Sequence, residues 1–207
     1  MAPQFNIHKD ISKAETLPAS FYRDSSMFET MKDQIFLKSW QWVGDQSLVK
    51  LPKSFYPFVL LDGYLTEPML LTHDKSGNIN CLTNVCTHRG NILAMSSGKS
   101  NKLTCDYHGR RFKLNGKFES MPEFEKTKDF PRPCDNLHQF PLKKWGPFLF
   151  AGLNPSFDFE EVLKPINKRI GFLPLDQFSF DSSLSKDYLV QAHWALYCDN
   201  YLEGFHI

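Results

Sequence analysis

The residues best suited to chemistry are two Cys–His pairs, Cys86-Thr-His88 and Cys105-Asp-Tyr-His108, with sixteen residues between them. Each pair puts one thiolate and one imidazole on a short segment between apolar runs. Two such loops brought together present two sulfurs and two nitrogens at one place. A structural zinc ion takes that donor set in a tetrahedron. A 2Fe-2S cluster takes it differently, with two thiolates on one iron and two imidazoles on the other. Charge explains the use of histidine in the second case. Two thiolates neutralise an oxidised cluster core, whereas four leave it anionic, so neutral imidazoles ease the addition of an electron and raise the reduction potential. Zinc fingers usually order their ligands Cys, Cys, His, His, whereas here the order is Cys, His, Cys, His. That order favours the cluster.

These loops need a scaffold. A chain of 207 residues has room for a sizeable core, as one large domain or two small ones. Its 42% hydrophobic content and 19 Phe exclude a disordered chain. A formal net charge of +1 gives no case for general nucleic-acid binding or a polybasic membrane anchor. No apolar stretch is long enough to span a bilayer, and the N-terminus lacks an apolar signal core. The expectation is therefore a cytoplasmic protein in a reducing compartment, whose five cysteines serve metal or chemistry rather than disulfides.

The patterning predicts a mainly β fold with flanking helices (α+β). Ser26 and Glu29 read as a capping box opening an N-terminal helix that ends near Trp40. From Trp42 to about Phe150, short apolar runs broken by Gly, Pro and Asn predict an antiparallel β domain. Lys75–Asn78 and Leu114–Lys117 mark hairpin turns, the second a type I′ turn at Asn115-Gly116. A second helix is expected between Asn154 and Gly171. A strand from Tyr188 to Trp194 and a helix from Tyr197 to the end follow, with no capping signal after Ile207, so that the chain is expected to stop mid-element.

The stretches Cys86-Thr-His-Arg-Gly-Asn-Ile-Leu93 and Cys105-Asp-Tyr-His-Gly-Arg-Arg-Phe112 resemble those of Rieske non-haem iron oxygenases, in the N-terminal part of the catalytic α subunit. Trp40 to Gly44, Met121-Pro-Glu123 and Cys198-Asp-Asn-Tyr-Leu202 are also similar to that family, the last above all to choline-monooxygenase-like members; a phenylpropionate-dioxygenase-like member is the other candidate. The resemblance implies a Rieske 2Fe-2S cluster held by Cys86, His88, Cys105 and His108, with the two Cys on a buried iron and the two His on an outer one. It implies an antiparallel β domain with two metal-binding hairpin loops over residues 42–154, a helical segment over 1–41, and the incomplete start of a mononuclear-iron catalytic domain over 155–207. His206 matches the first ligand of a mononuclear non-haem Fe(II) whose other ligands are not in this chain, so the chain alone is expected to be inactive as an oxygenase. Glu203 matches the acid that bridges cluster and iron between subunits, and a Glu there leans the substrate toward a quaternary ammonium compound rather than an aromatic one. Asp199, Glu203 and His206 would share one helical face. The family's usual Trp after the second His-Gly is replaced by Arg110. Respiratory Rieske proteins carry two further cysteines, which would fall at Asn91 and Tyr107, and neither is Cys.

The resemblance also implies a multicomponent system: O2-dependent hydroxylation of a small organic substrate, an acidic ferredoxin or flavin reductase as electron donor, and a homotrimer when full length. A stand-alone Rieske electron carrier is the alternative. Between Cys86 and Lys117, Arg89, Lys99, Lys102, Arg110, Arg111, Lys113 and Lys117 face Asp106 alone, a basic collar suited to an acidic donor. Cys81, Cys134 and Cys198 lack ligand spacing and are expected as small core residues. His8, His73, His138 and His193 are expected as surface or capped histidines.

Overall fold

A computed structural model of the chain describes residues 5–203. Two compact units are present: one spans Leu37–Phe180, and the other joins the residues up to Phe36 with those from Asp181 onward. The helices are α1 (Ala19–Arg23), α2 (Ser25–Gln34), α3 (Phe159–Ile170) and α4 (Trp194–Leu202). The strands are β1 (Gln41–Asp45), β2 (Ser54–Leu60), β3 (Glu67–His73), β4 (Ile79–Thr83), β5 (Gly98–Lys99), β6 (Lys102–Thr104), β7 (Arg111–Lys113), β8 (Phe118–Ser120), β9 (Gln139–Phe140), β10 (Leu142–Trp145) and β11 (Phe148–Ala151).

The larger unit holds three antiparallel sheets: β1-β11-β10, β5-β2-β3-β4-β9 and β6-β7-β8. Alternation along a strand sends successive side chains to opposite faces, and β3 and β4 use both faces. Leu70 and Leu82 pack with Leu103, Phe112 and Leu114 of the β6-β7-β8 side. Met69, Leu71 and Cys81 pack with Leu149 and Ala151 of the β1-β11-β10 side. The five-stranded sheet is thus the middle layer, which is why Met69 to Leu71 read as a continuous apolar run rather than an alternating one. Thr72 adds a polar tie: its hydroxyl donates to the Leu114 carbonyl at 2.5 Å inside the core.

Two hairpins turn at the expected places. In the first, the Asp74 amide donates to Asn78 and the Gly77 amide back to Asp74; in the second, Lys113 donates to Lys117 and Gly116 to Lys113. Asn115 does not take positive φ while Gly116 does, at 82°. The second hairpin is therefore a three-residue loop closed by a left-handed glycine, not the expected type I′ turn.

In the smaller unit, α2 is capped by Asp24, whose carboxylate accepts from the Ser26 and Met27 amides, rather than by the Ser26–Glu29 box. The preceding α1 sets Asp24 at the junction, where its charge also complements the helix start. The helix stops at Gln34, short of Trp40. No strand forms over residues 188–194: Leu189 is wholly exposed, and among the described residues no strand lies beside it to satisfy its backbone. Helix α4 starts at Trp194 because the His193 ring accepts from the Ala195 amide at 3.1 Å, an unusual cap. Phe21, Tyr22 and Phe28 surround that ring, and the Tyr22 hydroxyl donates to the Asp199 carboxylate.

Because Leu70 is wholly buried in the core between the middle sheet and the β6-β7-β8 side, Leu70→Ala should cost about 2–5 kcal/mol in urea unfolding. Val59→Ala, on the same sheet but solvent-facing, should cost less than about 1 kcal/mol.

Candidate metal centre

Both ligand loops are closed by the same pair of backbone hydrogen bonds. The Cys86 amide donates to the Asn91 carbonyl at 2.8 Å and the Gly90 amide donates back to Cys86 at 3.1 Å. The Cys105 amide donates to Arg110 at 2.8 Å and Gly109 donates back to Cys105 at 2.9 Å. In each loop the fourth residue after the cysteine is a glycine with positive φ, 72° at Gly90 and 70° at Gly109, a conformation that a Cβ makes costly. At Gly109 a Cβ would also press on Pro122 at 3.2 Å. The first loop is anchored by Asn84, whose side chain exchanges two hydrogen bonds with the Ala94 backbone, both donors and acceptors buried.

The two thiols lie inside, and the two imidazoles lie outside. Cys86 and Cys105 are each 2% exposed and belong to the apolar cluster of Leu70, Leu82 and Phe112. His88 is half-buried and His108 exposed, their ring centroids 4.7 Å apart, and Tyr107 stacks on His108 at 3.9 Å. The Asn91 side-chain amide donates across the loops to the Cys105 sulfur at 3.7 Å. Burial pushes the Cys86 thiol up, with its neighbour Cys105 adding to that, while the His88 amide and the Arg110 charge pull the other way. The His88 imidazole is shifted below its ordinary value, first by burial and then by His108, Arg89 and Arg110, a shift toward the neutral form that ligates. A sulfur pair in an apolar core beside an imidazole pair at the surface fits a dinuclear cluster whose two metals differ in ligand type.

Residues 39–131 match the Rieske [2Fe-2S] domain family. The chain carries a Rieske domain. Its likeness to known proteins extends beyond that domain and covers nearly the whole chain. It is 30% identical to the chloroplastic choline monooxygenase of Amaranthus tricolor, over 93% of this chain and 44% of that protein. It is 28% identical to the carnitine monooxygenase oxygenase subunit of Escherichia coli (strain K12), over 100% of this chain and 56% of the relative. Among solved structures, the quaternary ammonium Rieske monooxygenase CntA in complex with L-carnitine superposes with a TM-score of 0.74 at 26% identity, covering 93% of this chain and 54% of the other. The chain is a homologue of Rieske oxygenase α subunits of this kind, and it spans about half the length of the relatives it matches.

Within the Rieske domain, a third segment grips both loops. The Thr87 hydroxyl, between the two ligands of the first loop, donates to the Asp135 carbonyl at 2.8 Å. Arg110, next to the second loop, donates to the Asp135 carboxylate at 2.6 Å and to its carbonyl at 3.3 Å. Arg110, counted by sequence in the basic collar, is instead buried and paired, with Phe112, Phe118 and Phe130 covering its guanidinium. Arg89, Lys99, Arg111, Lys113 and Lys117 remain exposed. Asp135 has no motif to mark it, and a lone acid 25 residues from its arginine partner gives no sequence signal.

The remaining expectations divide. Cys81 is a core residue whose thiol burial pushes up to about 12, whereas Cys134 and Cys198 are exposed and not core at all. Glu203 does not share a helical face with Asp199, since α4 ends at Leu202 and Glu203 takes an extended C-cap conformation. His206 lies outside the described residues.

Burial alone would raise the Asp135 carboxyl, but hydrogen bonds from the Arg132 amide and the Arg110 guanidinium hold it below the usual carboxylate range. The stability this supplies is present above the ordinary carboxylate value and is lost as pH falls through the lowered folded value. Asp135→Ala should therefore cost about 3–5 kcal/mol in urea unfolding near neutral pH, with the gap to wild type narrowing on acidification.

Proposed function

We propose that this chain is the N-terminal portion of the terminal oxygenase component of a multicomponent Rieske non-haem iron oxygenase. That oxygenase hydroxylates a small organic substrate with O2, a quaternary ammonium compound in preference to an aromatic one. The observation that carries the reading is the sorting of ligands in two identically closed loops, with buried Cys86 and Cys105 set against surface-facing His88 and His108. The relatives named for choline and carnitine support the substrate class.

When bound, the cluster supplies a one-electron store close to the surface. The protein's part is to hold its ligands. Cys86 and Cys105 bind as thiolates inside the apolar core, so the fold must exclude water around the sulfurs. His88 and His108 bind as neutral rings, and their outward position makes them the route by which electrons enter or leave. The Tyr107 ring, tilted against His108 with centroids 3.9 Å apart, covers one side of that imidazole. The mononuclear Fe(II), with His206 as its first ligand and Glu203 as the bridge from the neighbouring subunit's cluster, belongs to the proposal, as does assembly as a homotrimer. The division into residues 1–41, 42–154 and 155–207 is part of the proposal too, although the compact units part at Phe36 and Phe180 and leave residues 155–180 with the larger one. A cytoplasmic, reducing setting is part of it because the thiols must stay reduced for the cluster to assemble. No helix among the described residues is long and apolar enough to cross a membrane.

Anaerobic reconstitution should give two irons and two acid-labile sulfides per chain. The colour should bleach on one-electron reduction, and Cys105→Ser should abolish it. Colourless protein holding zinc would overturn the cluster. The product of the complete gene, given a reductase, should take up O2 in the presence of a trimethylammonium substrate; cluster reduction with no substrate-dependent uptake would assign the stand-alone carrier instead.

The acidic ferredoxin or flavin reductase is the proposed donor, attracted by Arg89, Lys99, Arg111, Lys113 and Lys117. Its rate of cluster reduction should fall about tenfold or more from low to high ionic strength. Lys113→Glu should slow it at low salt, and a rate independent of salt would remove the steering role.

A further inference from the structure

Arg110 is a permanent cation placed where ligation gives it no task. It is 3% exposed, and its carbonyl accepts the Cys105 amide that closes the second loop. Its guanidinium carbon lies 5.7, 5.0 and 5.6 Å from the ring centroids of Phe112, Phe118 and Phe130. Its Nε is buried without a hydrogen-bond partner. A guanidinium is not deprotonated in proteins, and taking it out of water costs several kcal/mol that a single carboxylate does not always return. An apolar residue of similar volume would pack among three Phe rings at least as well, so packing alone is a poor account of an arginine here.

Asp135 shows what the charge is tied to. One of its oxygens meets Arg110 at 2.6 Å, and its carbonyl accepts from both Thr87 and Arg110. Thr87 stands between Cys86 and His88, and Arg110 lies two residues beyond His108, so this node fixes the cation at the junction of both ligand loops. Away from water, a fixed charge acts on charge added nearby far more strongly than a solvated one does. Reduction adds one negative charge to the cluster, and a neighbouring buried cation stabilises that product.

We infer that Arg110, held by Asp135, is a positioning residue of the cluster site that raises the cluster's reduction potential. This rests on the Rieske reading above. The test is potentiometric titration of the cluster-loaded chain, with the visible spectrum reporting an intact cluster. Arg110→Met should weaken electron uptake about tenfold, a fall of ~59 mV for a one-electron couple. Arg110→Lys, which keeps the charge, should stay within about threefold of wild type. The double variant Arg110→Met/Asp135→Leu replaces both charges by apolar groups, the exchange that buried pairs tolerate best; its potential should lie between those of Arg110→Met and wild type. Should Arg110→Met fail to hold a cluster, the double variant decides, and a potential at or above wild type overturns the inference. So does an Arg110→Met potential equal to wild type, or an Arg110→Lys potential as low as that of Arg110→Met, since shape rather than charge would then be at work. A wild-type chain that takes up no iron and sulfide would overturn the Rieske reading and this inference together; a wild-type chain with a normal cluster and unmoved variants would overturn this inference alone.

Discussion

Both metal loops depend on one backbone device: a cysteine whose amide is committed to the carbonyl five residues on, with a left-handed glycine donating back to the cysteine's own carbonyl. The device satisfies the polar groups of a tight turn internally, which is what allows the turn to be driven into an apolar core without orphaned amides. Once the loop is closed in this way, its first residue points inward and the residues between cysteine and glycine are pushed out. The histidine sits two places after the cysteine in one loop and three in the other, yet both rings emerge side by side. The sorting of sulfur to the inside and nitrogen to the outside is therefore a consequence of loop closure, not of separate interactions for each ligand.

Everything else positions those two loops against each other. The middle sheet gives one face to the cluster of residues that includes both cysteines and the other face to the β1-β11-β10 layer. Burying β3 on both sides fixes its register, because a one-residue slip would exchange Leu70 with Met69 and Leu71 and misfill both cores at once. Since the first loop follows directly from β4, and the second joins β6 to β7, the register of the sheets is also the register of the ligands.

How far the sequence discloses this depends on how local the cause is. The four ligands, the two hairpin glycines and the long central strands are legible because each rests on a motif or a run of residues close in the chain. The short strands β7 and β10 are not: Arg-Phe-Lys and Leu-Lys-Lys-Trp hold little apolar pattern and become strands only because neighbours offer hydrogen bonds. The same logic runs in reverse at Tyr188 to His193, where a strand-like pattern finds no such neighbour among the described residues and stays irregular. The His193 cap escaped notice because an imidazole rarely fills that place.

Arg110 marks the limit most sharply. Counted along the chain, it is one more cation in a basic stretch, and a charge sum treats it like Arg111 beside it or Lys113 three residues on. Arg111, the first residue of β7, is exposed and Phe112 is buried, so the alternation carried one residue back from the strand turns Arg110 inward. What alternation does not say is that three Phe rings and an acid from a distant segment wait there. A buried charge needs a partner whatever its sequence distance, and the inward side of a strand beside two metal loops is the place to look for one. The net charge of a redox surface therefore has to be taken after the inward-facing cations have been removed from it, and in this chain that subtraction changes the count of the collar and supplies the site with a cation that solvent does not screen.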